Sequence, residues 1–579
     1  MSPTPPPPAA ALEVKFRRAG FLLLGVIVLL VFHPALQGEL LRWDDDVNIS
    51  GNPHIKGLGW ESIKWSLTDT KYYWRFQPLA WLTWNAIYQF SGAKPFLYHF
   101  VVVLLHAASA GLIFLLIEKL LRLARSGADA GFSLASASGA WLAAALWALH
   151  PMRVEAVAWA VELVYVMPLF FLLLSLLAYL KSAEVAAGAA RYYWLSVACF
   201  AASLFTFPIA LGGLVVFIAL DMMPLRQLSL NPQEWFNGMA RRVWWQKIPF
   251  IALTLLAAGL NFYARAYHVG QFKELPPLEN FGLVERAAQA FYVWTYYLWK
   301  PLLPFHLTPV PMQLYDINPQ SAVFVGSAIF IFGMTVGLFL MRRRWPAGLL
   351  LWICHLGLLV PMLGLSEHPH FPSDRYGLVV NIGMAIVLAA VFAHMMIAYR
   401  RMALTVAVVG SLIVVLSVMS YRQTLRWQNN ERFLNYVLGT LPAEPKADGY
   451  RSAIHLKLAG YYLERGDSQR SVAEARLAIA VNPHRAAAHR ALGDALIQVG
   501  DLPAAKASLE EAVRLDASQI TAFNNLGVAY AMKSKLEQAV EQFQAVLQVQ
   551  PDNANALQNL ARARAMLAAG TNSPSPPQP

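Results

Sequence analysis

Charge is scarce in this sequence. Asp, Glu, Lys and Arg make up 14% of its 579 residues, where a soluble domain carries roughly 25%. That shortage excludes a wholly soluble protein. Cysteine is nearly absent. Cys199 and Cys354 are the two, both in apolar runs, so neither a disulfide framework nor a cysteine zinc site can be built from them. Acidic residues are fewer than basic ones, 34 against 46, which leaves a net charge of +12. In so apolar a chain that surplus reads as basic cytoplasmic loops, and no nucleic-acid partner is expected. What the chain has in abundance is hydrophobic side chains, at 57%, with a mean hydropathy of +0.43. It is therefore an integral membrane protein with a soluble part attached.

Apolar runs of spanning length cover 19–36, 96–117, 134–149, 161–180, 248–264, 322–340, 347–365, 378–395 and 402–419. No small-residue cleavage site follows the first, where Gln37 to Arg42 lead straight into an Asp cluster, so it is expected to stay as a signal anchor. Two stretches are ambiguous, 192–220 with Pro208 inside it and 285–303, which is aromatic and broken by Lys300 and Pro301. Basic clusters decide how to count them. They lie at Lys15/Arg17/Arg18, Lys119/Arg122/Arg125, Lys181/Arg191, Arg226/Arg241/Arg242/Lys247, Arg342 to Arg344 and Arg400/Arg401. All six fall on the cytoplasmic side if 192–220 crosses twice, turning at Pro208, and 285–303 lies at the interface or re-enters. That gives 11 crossings. The same parity puts Asp44, His150, Pro208, Lys300, Asp374-Arg375-Tyr376 and the whole C-terminal region outside.

Two features stand out on that outer side. Asp44, Asp45 and Asp46 follow the first span directly. Carboxylates at a membrane surface are costly unless solvated or used, and they are what general acid/base or metal chemistry requires. The alternative is a solvated turn, since Asp, Asn, Gly and Pro all favour turns. From Ser452 a fixed period appears. Leu458, Leu492, Leu526 and Leu560 recur every 34 residues, each followed by a small residue: Ala459, Gly493, Gly527 and Ala561. This is the tetratricopeptide pattern of paired helices. Three repeats and a capping helix just reach the number a stable solenoid needs, and such a solenoid presents a concave surface to a peptide or protein partner. The domain plan is a disordered cytoplasmic 1–18, a membrane domain 19–421 with an outer catalytic loop 37–95, a linker 422–451, repeats 452–485, 486–519 and 520–553, a cap 554–568 within 452–569, and a disordered tail 570–579.

Several motifs run in order along nearly the whole chain. Asp44-Asp45 with Asn48-Ile49 and Asn52-Pro53 opens the series, followed by Gln77-Pro78-Leu79, His99 and Leu104 to Ala107. The densest stretch runs from Ala148 through His150-Pro151 and Val154-Glu155 to Trp159. Leu220-Asp221 with Pro224 to Arg226, Lys247 to Phe250, Pro361 with Gly364-Leu365, Asp374-Arg375-Tyr376, and Gln423 with Trp427 complete it. The set resembles transmembrane-and-tetratricopeptide-containing (TMTC-like) proteins of the GT-C class, polyprenol-dependent glycosyltransferases related to protein O-mannosyltransferases. The resemblance implies an all-α, GT-C-like bundle ahead of the repeats. It implies transfer of a sugar from a polyprenyl-phosphate-linked donor, a membrane lipid, to a protein or glycan acceptor on the outer face. Asp44 or Asp45 would deprotonate the acceptor hydroxyl, Glu155 would be the second carboxylate, and Arg375, Arg75 and Lys300 would hold the donor phosphate. His99, His106, His150, Glu162, Asp374 and Tyr376 would support them. No cofactor is implied with certainty, a divalent metal stays open, and no metal ligands are assigned.

Bland roles exist for several of these residues. His99 and His106 share one helix face and suit helix–helix contacts. His150-Pro151 suits a helix end, and Asp374-Arg375 suits a loop ion pair. This chain also departs from the family pattern, with Leu163 and Phe207 where basic residues are expected. The competing reading is a catalytically silent membrane scaffold whose repeats dock partners. The resemblance places the protein in a bacterial inner membrane with site and repeats on the periplasmic face, or in the ER membrane facing the lumen if the source is eukaryotic.

Overall fold

The computed structural model describes residues 8–125, 133–266, 281–365 and 370–568. Among these residues every regular element is helical. The chain divides into two compact units, Met1–Asn429 and Asn430–Pro579. Calls on 1–7 and on the tail 570–579 lie outside the described residues.

Among the described residues of the first unit, five helices are long and apolar enough to cross a membrane: Pro95–Ala124, Ala160–Glu184, Ala240–Arg265, Ala322–Leu340 and Met402–Arg426. Asp374–Val380 and Ile382–Ala398, bent by 54°, make a sixth if the pair is one span and not a re-entrant loop. Leu134–Ala148, Pro208–Met222 and Pro346–Met362 are apolar but shorter. To reach the 11 of the parity count, all three of these, and Pro8–Val31 and Ala189–Thr206 as well, would have to cross. The break expected at Pro208 is present. Phe207 is extended, with φ −165° and ψ 146°, between the helix Ala189–Thr206 and the turn Pro208–Gly212.

Two boundaries differ from expectation. The first helix runs Pro8–Val31, so most of the stretch 1–18 expected to be disordered is helical. Alanines, a favourable helix former, follow Pro8, and Arg17 ties the segment down through Glu118 (2.7 Å) and Glu13 (2.5 Å). The expected linker 422–451 is also largely helical. Met402–Arg426 runs into it, and Asn430–Thr440 buries Phe433, Leu434 and Val437 as the first helix of the second unit. The segment 37–95, expected as an outer loop, carries the helices Trp60–Thr68 and Pro78–Ser91.

The second unit stacks helix pairs Asp448–Glu464 with Ser468–Val481, Ala486–Val499 with Leu502–Leu515, and Ala522–Met532 with Leu536–Val549, capped by Ala554–Ala568. The 34-residue period works through close packing. A Cβ at Gly493 would come 2.5 Å from the Leu509 side chain, and one at Gly527 would come 2.6 Å from Phe543. Small residues let the second helix of each pair lie directly on the first. Leu458, Leu526, Ala505, Ala539 and Phe543 are all fully buried.

Candidate functional site

The site begins where the helix Leu134–Ala148 ends. His150 extends the backbone, and its Nδ1 accepts the Met152 N–H at 3.2 Å. Pro151 cannot donate and starts a tight turn. A chain of short elements follows, Pro151–Arg153, Val154–Ala158 and Ala160–Glu162, before the long helix Leu163–Glu184. Every residue from 151 to 169 is buried. The connection between these two helices is thus folded inward, and it carries Glu155 (4% exposed) and Glu162 (2%) with it.

Arg375 meets both carboxylates. Its guanidinium is ion-paired with Glu155 and lies 3.6 Å from Glu162 Oε1, and its backbone N–H donates to Glu155 Oε2 at 3.3 Å. The rings of Tyr376, Tyr165 and Trp159 surround the guanidinium at 5.2, 5.4 and 5.5 Å. Such contacts add cation–π attraction and exclude water, which strengthens the ion pairs. The neighbour-to-neighbour pair of Asp374 with Arg375 is not what forms. Asp374 accepts from the Tyr296 hydroxyl at 3.2 Å instead. Adjacent side chains on the Asp374–Tyr376 turn diverge, and Arg375 reaches the Glu155 turn.

The Asp cluster joins this group through the backbone. Asp45 is fully buried, and its two oxygens accept the N–H groups of Leu41 and Val161, each at 2.8 Å. It clamps the segment after the first helix to the residue just before Glu162. Burial pushes the Asp45 carboxyl up to about 8, against the two N–H groups, which pull it down. A sealed carboxyl held by backbone cannot reach an acceptor hydroxyl. Asp44 is partly exposed and lies with Arg75 within electrostatic reach of Glu162. Arg75 sits 5.9 Å above the Phe207 ring, so a cation stands over one of the two positions where a basic residue is missing. Leu163, the other, is buried directly beside Glu162.

The remaining expected residues fall elsewhere. Lys300 is 5% exposed and turned into its own loop, donating to the carbonyls of Phe305 at 2.7 Å and His306 at 3.3 Å. That corrects its reading as an outward cation. A buried ammonium satisfies its donors on the nearest carbonyls. His99 Nε2 meets the Glu39 carbonyl at 3.2 Å and His106 Nε2 the Ala148 carbonyl at 2.9 Å. The second joins two helices, and the first holds the chain just after the turn His33–Gln37. His150 Nε2 bonds the Pro301 carbonyl at 2.9 Å and ties the two turns together. Tyr376 lines the Arg375 enclosure. Among the described residues no three His, Cys, Asp or Glu side chains gather as metal ligands.

Sequence reasoning did not single out Trp159, Tyr165 or Tyr296. Trp159 closes the motif that carries Glu155, which was the signal available. The other two are aromatic residues among many.

This is a helical membrane protein with a buried acid–arginine cluster at helix ends, joined to a helical-repeat unit. Residues 493–534 match the TPR repeat family model. Over 247 residues the chain is 27% identical to protein O-mannosyl-transferase TMTC2 of Homo sapiens, covering 41% of this chain and 28% of that one. It is 36% identical over 117 residues to protein O-mannosyl-transferase tmtc2 of Xenopus laevis, covering 20% and 12%. The matches thus span under a third of the relatives' length. Over these stretches the chain is TMTC-like.

Proposed function

We propose that this protein is a membrane glycosyltransferase of GT-C type. It moves a sugar, mannose by likeness to its relatives, from a polyprenyl-phosphate donor to a protein hydroxyl at the outer face. The observation that carries this reading is the meeting of Glu155, Glu162 and Arg375, with Asp44 and Arg75 close by, where helices end. Asp44 takes the acceptor proton as the sugar C1 is attacked. Asp45 is a positioning residue that fixes the Val161–Glu162 turn. Arg75 meets the departing phosphate and stands in for the missing cation at Phe207. Arg375 is held by two carboxylates, so its work is to keep the enclosure closed, with phosphate contact secondary. The repeat unit recruits the acceptor or a partner. The 11 crossings put site and repeats on the periplasmic face of an inner membrane.

The test is transfer from a radiolabelled polyprenyl-phosphate mannose to peptide by the purified chain. Transfer that depends on Asp44 is expected. Failure to bind any polyprenyl phosphate would overturn the reading and leave the scaffold role.

A further inference from the structure

The first unit holds a second feature, lined by none of the residues of the acid–arginine cluster. A cavity of about 550 Å³ lies among the helices Pro95–Ala124, Leu163–Glu184, Gly213–Met222, Pro346–Leu359 and Ile382–Ala398. Its volume falls inside the roughly 300–1,000 Å³ usual for ligand sites. Its wall is almost wholly apolar, built from residues such as Leu120, Leu173, Val216 and Ile386. Water finds few polar partners along most of that wall. Trp345 and Val391 line it while being 45% and 47% exposed, so the cavity opens sideways on the surface of the bundle, where lipid chains stand.

Charge at one end says which lipid. The lining residues Ala124, Pro224, Trp345 and His394 belong to the helix ends that carry basic clusters. Arg226 follows Pro224 by two residues, Arg344 precedes Trp345, and Arg400 follows His394 by six; all three arginines are exposed. Basic groups at the mouth of a pocket between helices attract anionic head groups. An apolar slot for a chain and a cationic rim for a head group make one site. We propose that this cavity binds one anionic phospholipid from the leaflet on the basic side. One acyl chain lies between the helices, and the phosphate meets Arg226 and Arg344. The inference stands apart from the transferase reading, since none of these residues belongs to the acid–arginine cluster.

The experiment uses the full chain in mild detergent with Cys199→Ser, which leaves Cys354, a lining residue, as the sole thiol. Phosphatidylglycerol, phosphatidylcholine and a polyprenyl phosphate are each titrated. Binding is read by native mass spectrometry and by protection of Cys354 from an apolar maleimide. Expected are one phosphatidylglycerol per chain, protection of Cys354, and weaker binding of phosphatidylcholine. Arg226→Gln and Arg344→Gln should each cut the preference for phosphatidylglycerol by roughly fivefold at unchanged melting temperature. Ile386→Trp should fill the slot and abolish binding of both phospholipids; if that variant fails to fold, the two arginine variants still decide. Equal binding of the two phospholipids, or no protection of Cys354, would overturn the proposal. So would stronger protection by polyprenyl phosphate, which would give the slot to the sugar donor's chain.

Discussion

Arg375 reaches across 220 residues of chain to pair with Glu155, and passes over Asp374, its immediate neighbour. The pair joins the turns that follow Leu134–Ala148 to the turn that precedes Gly377–Val380. Its side chains are 18% and 4% exposed, so it is largely out of water. Removing one partner from such a pair leaves a charge stranded and costs about 3–5 kcal/mol. Glu155→Gln and Arg375→Gln should each lower the melting temperature of the purified protein clearly. The double variant should lose less than the two losses added. Strict additivity in that cycle would mean the pair is not formed in the membrane protein.

Asp45 and Asp44 should separate by phenotype. Asp44→Asn is expected to cut sugar transfer by about 10² to 10⁴-fold, the usual worth of a general base, with melting nearly unchanged. Asp45→Asn should cost about 1–3 kcal/mol of stability, because an amide cannot accept both backbone N–H groups, and it should lower transfer less. Steady-state transfer assays beside thermal melts read both. Equal loss of activity in the two, without destabilisation of Asp45→Asn, would move the base to Asp45.

Asp45 also sets a pH dependence. Its folded value is raised to about 8, whereas an unfolded Asp ionises near pH 4. The folded state therefore holds a proton that the unfolded state gives up. The stability this contributes is full below about pH 4 and is lost as pH rises to about 8. The melting temperature should fall over that window in the native protein and fall less steeply in Asp45→Asn. A parallel pH profile in the two proteins would refute the burial of a protonated carboxyl at this position.

These contacts mark how far the sequence could be read. The repeats were legible as paired helices, because a 34-residue period with small residues after each Leu calls for close helix packing, and Gly493 and Gly527 lie against Leu509 and Phe543 as that packing demands. The family likeness was legible through motif order, and charge parity gave Glu155 and Arg375 one expected side of the membrane. The pairing itself was not, since adjacency in sequence favours Asp374 as the partner and nothing local reports a contact 220 residues away. Burial of Asp45 was hidden for a related reason. Three aspartates beside Asn and Gly look like a wet turn, and the acceptor role becomes visible only when Val161 N–H is seen to need one. Lys300 misled because an ammonium in a polar loop looks outward until its carbonyl partners are known.

The orientation can be checked by labelling. In a background of Cys199→Ser and Cys354→Ser, single cysteines replace Glu61 in the first outer loop, Lys506 in the second repeat and Arg343 in a basic cluster. Glu61 and Arg343 are exposed and Lys506 is partly exposed, so reactivity at each reports its compartment. If all six basic clusters are cytoplasmic, a membrane-impermeant maleimide on intact cells labels Glu61→Cys and Lys506→Cys and spares Arg343→Cys until the cells are opened. The repeats are the decisive position. Five helices qualify as spans by length and composition, with a sixth across the 54° bend, and each shorter helix that fails to cross reverses the side on which everything after it emerges. Labelling of Glu61→Cys with protection of Lys506→Cys would mean an even number of crossings between residues 61 and 506 has become odd. The miscounted crossing would then be sought first at 192–220, where Pro208–Met222 is among the shorter apolar helices, and the repeats would face the cytoplasm, away from any acceptor presented to Asp44.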